Sequence, residues 1–159
     1  MQNSPLFSAD SVLFNVNAGS QKQLFQELAN ALIKVHHLDK KDISCSDIVN
    51  AAIDREHLGS TGVGNGVALP HARIEGVDKV TAVFAKLSQP LEFDAIDDRD
   101  VDLVVFLLAP SNAGGAHLRA LAKVSRLLRR PNVRARLREA PSSEALYTIL
   151  TETQDAKAA

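Results

Sequence analysis

The run DLVVFLLAP, Asp102 to Pro110, constrains the fold more than any other stretch of the chain. A half-exposed strand alternates apolar with polar positions, whereas this run is apolar without a break from Leu103 to Ala109. That pattern suits a strand covered on both faces. The run is much too short to span a bilayer as a helix. A doubly covered strand needs packing layers on each side of its sheet, and the surrounding sequence offers helices for them.

The spacing predicts a first helix over Ser20–His37. Ser20 caps it, Leu24, Leu28 and Leu32 form its inner stripe, and Phe25 and Ile33 widen that stripe. A second helix is expected over Ser46–Leu58, with a capping box in SCSD, Ser44 to Asp47. Gly59 should stop it in a left-handed conformation. GVALPHA, Gly66 to Ala72, reads as extended, because Leu69 precedes a proline. KVTAVFAKL, Lys79 to Leu87, reads as a strand. Further helices are expected over His117–Arg130, with Leu118, Leu121, Ala122, Ser125 and Leu128 at helical spacing, then over Asn132–Glu139 and Ser142–Thr151. Strands and helices interleave, so the expected class is α/β: a mixed β-sheet flanked by helices in a single domain. The expected core is residues 11–151, with a frayed tail over 152–159.

Composition narrows the function classes. The chain has 159 residues, a formal net charge of −1 and 23% charged residues, so no strong field selects nucleic acid or an anionic membrane. The arginines of RLLRRPNVRARLR, Arg126 to Arg138, alternate with leucine and valine and read as a solvated helix face. One cysteine, Cys45, rules out an internal disulfide and fits a reducing compartment. The first residues lack a basic and then apolar leader pattern, and the expected location is cytoplasmic.

The chemistry gathers in GSTGVGNGVALPHAR, Gly59 to Arg73. A dinucleotide fingerprint needs a third glycine at position 67 or 69, where Val67 and Leu69 stand. A P-loop needs Lys and Ser/Thr where Asn65 and Gly66 stand. Two readings survive. In one, Asn65-Gly66 is a tight turn and the glycines serve only the backbone. In the other, glycine N–H groups with the Ser60 and Thr61 hydroxyls form an anion nest, and Pro70 fixes the backbone before His71. A neutral imidazole is a competent nucleophile for a phosphoryl group, and His117, at a helix start after SNAGGA, could support it. Arg55 and Arg73 could balance phosphate charge, or could make ordinary surface ion pairs. His36, His37 and His57 sit where helices end and suit C-terminal positions. No His/Cys/Asp set has metal-ligand spacing, and no nucleophile elbow is present.

REHLGSTGVGNGVALPHARIEGV resembles the active-site segment of the fructose/mannitol-type enzyme IIA domains of the bacterial phosphoenolpyruvate phosphotransferase system. LEFDAIDDRDVDLVVFLLAP and AHLRALAKVSRLLR resemble the next two blocks of that family, in order. The resemblance runs from Ser11 to Thr151 and is strongest to the nitrogen-regulatory branch. Ala72 stands where the family often has Gly, and Asp100 where Pro is common.

The resemblance implies that His71 is the nucleophile and forms a tele-phosphohistidine. It implies His117 as the supporting histidine and Arg55 as a phosphoryl-binding residue; the nest reading adds Ser60, Thr61 and Gly62 to the phosphoryl-binding set. It implies an HPr-like phosphocarrier protein as donor, charged by an enzyme I-like protein; with the charge, spacing and hydropathy above, the expectation is no metal, no cofactor, no nucleic acid and no membrane insertion. The regulated protein partners are not named by it. Two other functions remain open: a sugar-specific IIA passing phosphate to a B domain, and a binding module whose loop is only structural.

Overall fold

β6, Val101–Pro110, is the spine of the sheet. The computed structural model describes residues 6–158, with side chains to Glu152. Along one edge β6 pairs antiparallel with β5, Thr81–Leu91, and β5 pairs parallel with β1, Val12–Val16. Along its other edge lie two short parallel partners in line. These are β3, Val67–Ala68, opposite Leu103 and Val104, and β4, His71–Ile74, opposite Leu107 to Pro110. Leu69 and Pro70 separate them. β2, Gly62–Gly64, pairs antiparallel with β3 and completes the mixed six-stranded sheet.

The unbroken apolar run has the expected consequence. Val104, Phe106 and Leu108 enter one core cluster, together with Val83, Ala85 and Leu87 of β5. That cluster is closed by α1, Gln21–His36, and α2, Cys45–Leu58. Leu103, Val105 and Leu107 enter the other cluster, under α3, Gly115–Arg129, α4, Pro131–Glu139, and α5, Ser143–Ala158. Successive side chains of a strand point to opposite faces, so one strand feeds both cores. Phe25 of α1 stacks on Phe106 at a 6.0 Å centroid distance and meets Phe93 edge-on at 6.3 Å.

The helix starts follow their caps. Ser20 Oγ accepts from the Gln23 N–H, and Ser44 and Asp47 form the reciprocal capping box of α2. Several expectations need correction. Gly59 does not take a left-handed cap conformation; its φ is 158° and its ψ 144°. Leu118 does not face the core: it is 65% exposed, and His117 is buried in its place. The last helix runs past Thr151 to Ala158, and Ala159 of the expected frayed tail lies outside the described residues. Among the described residues no helix is long and apolar enough to cross a membrane.

Candidate functional site

The break between β3 and β4 builds the site. Pro70 has no N–H to give the sheet, and its carbonyl accepts from Leu107. The neighbouring Leu69 carbonyl accepts a hydrogen bond from Nδ1 of His71 at 2.9 Å. A carbonyl can only accept, so Nδ1 of His71 carries the ring proton and Nε2 holds the lone pair. From the other side, Nε of Arg55 donates to that same Nε2 at 3.2 Å. The two contacts select one tautomer independently. Arg55 is itself anchored, its Nη1 donating to the Gly59 carbonyl at 2.8 Å.

Alternation along β4 sets what faces what. Ala72 is buried in the cluster under α1 and α2. His71 and Arg73 flank it, so both leave the strand on the other face, which α3 covers. There, Nε of Arg73 donates to Nδ1 of His117 at 3.2 Å. His117, in the first turn of α3, is 4% exposed. Its ring stands edge to face with that of His71, centroids 5.1 Å apart and planes at 75°. Nε2 of His117 is buried with no hydrogen-bond partner. Leaving a buried donor or acceptor unmatched costs about 1–3 kcal/mol, so this atom marks a place where a polar group from outside is wanted.

Burial, with the neighbouring positive charges, favours the neutral form of both rings. Burial holds His71 below the ordinary histidine value of 6.5, and the Arg55 and Arg73 charges push the same way. The Leu69 carbonyl and the Glu56 carboxylate oppose them. Burial also lowers His117, helped by His71 and Arg73. Neither arginine is in an ion pair among the described residues.

The glycine stretch forms a different object from the expected nest. β2 and β3 are a hairpin whose turn residues, Asn65 and Gly66, sit at φ 59° and 77°. Thr61 donates through both its N–H and its hydroxyl to the Glu56 carboxylate. The Ser60 hydroxyl donates to the Phe93 carbonyl and accepts from the Gly62 N–H. The Asn65 N–H donates to Asp97 at 2.8 Å. Those donors are engaged within the protein and do not stand open to an anion. The groups gathered on His71 come instead from α2, from the break between β3 and β4 and from the start of α3.

Sequence reasoning passes over Glu56, which ties the loop to α2 through Thr61 and whose charge acts on His71; its one signal is a place beside Arg55. Cys45 opens α2, at the far end of that helix from Arg55, and its thiol is pushed up by burial. His57 is exposed near the end of α2, and His36 and His37 lie where α1 ends. No group of three or more metal-ligating side chains occurs among the described residues.

The family described as phosphoenolpyruvate-dependent sugar phosphotransferase system, EIIA 2, matches residues 5–153, and the chain belongs to that family. It is similar to a nitrogen regulatory protein of Pseudomonas aeruginosa, at 38% identity over 143 residues and 90% of each chain. It also resembles the crystal structure of nitrogen regulatory protein IIA-Ntr from Neisseria meningitidis, with a TM-score of 0.82 and 34% identity over 91% of this chain and 96% of that one. The crystal structure of IIA mannitol from Escherichia coli shares the fold, with a TM-score of 0.74 at 22% identity over 91% and 98% of the two chains. The expected family and the α/β class are borne out.

Proposed function

We propose that the protein is a phosphocarrier of the nitrogen-regulatory kind, in which Nε2 of His71 takes a phosphoryl group from a phosphorylated HPr-like carrier. The observation that carries this reading is the fixed tautomer of His71, with the proton on Nδ1 held by Leu69 and the lone pair on Nε2. In the transfer step the Nε2 lone pair forms a bond to phosphorus. The donor's P–N bond breaks, and its electron pair returns to the donor ring. The proton on Nδ1 stays where it is, so the step needs no general base. The ring gains positive character, which the Leu69 carbonyl and the Glu56 charge favour. Arg55 moves from the lone pair to the phosphoryl oxygens, and His117 supports them from the other side.

The donor is a protein, and the site's rim suits one. Leu58, one turn after Arg55, is 84% exposed, and Leu118, beside His117, is 65% exposed. Large apolar side chains flanking a charged site offer a docking surface to a partner. Phosphorylation adds roughly −1.5 to −2 charges to that surface, as it does on other residues, and the regulatory output is a change in which cytoplasmic proteins bind. The similarity to nitrogen regulatory proteins supports this output over sugar uptake.

The test is incubation with phosphoenolpyruvate, an enzyme I-type protein and the carrier. It should place one acid-labile, base-stable phosphate on the protein, with no onward transfer to a fructose- or mannitol-type B domain. Efficient onward transfer would favour the sugar-uptake reading.

A further inference from the structure

We propose that Arg73 is a positioning residue of this site: its Nε–H makes Nδ1 of His117 an acceptor, puts the His117 proton on Nε2, and so sets that N–H as a donor to the phosphoryl group on His71. This rests on the phosphocarrier reading above and adds to it a second arginine with a distinct task.

The geometry supports it in three ways. First, a guanidinium cannot accept, so the 3.2 Å contact from Nε of Arg73 to Nδ1 of His117 leaves a neutral ring one choice of tautomer. Second, Nε2 of His117 is buried and unpartnered, so the donor created there is unsatisfied by the resting protein. Third, His117 lies edge to face with the nucleophile, 5.1 Å between centroids. The alternation of β4 explains why Arg73 is the residue that can do this. It leaves the strand on the same face as His71, two positions on, and arrives against α3.

The two arginines therefore form matched pairs with opposite outcomes. Arg55 points at the future bonding nitrogen of His71 and must yield it to phosphorus. Arg73 points at the rear nitrogen of His117 and stays. Without Arg73, His117 would be free to place its proton on Nδ1 and turn a lone pair towards an anionic phosphoryl oxygen.

Nitrogen-15 spectra of the imidazole rings in the unphosphorylated protein at neutral pH test the claim. Wild-type His117 should show a protonated Nε2 and a lone-pair Nδ1; a protonated Nδ1 overturns the proposal without any variant. Arg73→Leu should convert His117 to a tautomer mixture while His71 keeps its own pattern. Phosphate uptake should fall about ten- to a hundredfold, the range for losing one charge-assisted hydrogen bond. In a His117→Ala background the same Arg73→Leu change should leave the rate unaltered, because a positioning residue acts only through its partner. An undiminished loss in that background shows Arg73 acting on the phosphoryl group directly and overturns the proposal. A protein that takes no phosphate at all would refute the phosphocarrier reading, while the ring spectra would still decide the tautomer.

Discussion

His71 and His117 come from elements far apart in the chain, yet their rings meet edge to face at 5.1 Å, each holding an arginine on one nitrogen. In the phosphocarrier reading proposed above, only the His71 lone pair forms a bond to phosphorus. On His71 the lone pair lies on the nitrogen facing Arg55, because the other nitrogen is committed to Leu69.

Arg55 should matter in two measurable ways. Arg55→Gln removes a charged donor at the reacting nitrogen and should slow phosphate uptake about 10²-fold, by analogy with loss of one preorganised donor at a developing anion. It also removes a cation that holds His71 down, so the His71 titration midpoint should rise. A midpoint that stays put or falls, read by NMR, would contradict the electrostatic role.

His117→Ala should slow transfer and leave the phosphate on His71. The expected loss is again about 10²-fold for one donor. Single-turnover kinetics with phosphorylated carrier would show it, and an unchanged rate would remove His117 from the mechanism.

The pH dependence has a definite sign. His71 lies below 6.5 in the folded protein, so it remains neutral and nucleophilic through that pH, and uptake should decline only below it. His36, His71 and His117 are all depressed when folded. Between those depressed values and 6.5 the unfolded chain binds more protons than the folded one. Their stabilisation is therefore fully present above 6.5 and is lost as pH falls. The Tm should drop between pH 7.5 and about 5.5; a Tm that rises over that window would contradict the burial of these rings. Asp47 and Asp97 act with the same sign, but only near and below 3.8.

The hairpin that precedes His71 should be intolerant of a side chain at Gly66. Its φ of 77° is left-handed, and a Cβ there would run into the Arg138 guanidinium and the Asp102 carboxylate. Arg138 binds Asp102 through Nε and Nη2 and also donates to the Asn65 carbonyl at 2.6 Å. Gly66→Ala should destabilise by about 1–3 kcal/mol in urea unfolding. A neutral result would mean that the turn and α4 shift freely.

Much of this frame was legible because it rests on local rules. The capping box at Ser44 and Asp47 and the doubly covered β6 each declare themselves over a few residues. β1 did not. It is a short edge strand with little buried surface, and Asn15 at φ 62° interrupts its alternation and its register with β5. The inner face of α3 keeps Leu121 and Leu128 but differs at its start, where a buried histidine occupies the position that hydropathy gives to Leu118. His71, Arg55 and His117 were nameable from the family pattern. The pairing of Arg73 with His117 was not, since it joins a strand and a helix 44 residues apart. The engagement of Ser60, Thr61 and Gly62 by Phe93, Glu56 and one another was also invisible before the loop had a shape.

The most direct measurement is the intact mass of wild type and His71→Ala after incubation with phosphoenolpyruvate, an enzyme I-type protein and an HPr-like carrier. The expected result is one added phosphoryl group on wild type, released by acid and stable to base, and none on His71→Ala. Equal phosphorylation of His71→Ala, or none on wild type, would contradict His71 as the phosphoryl acceptor.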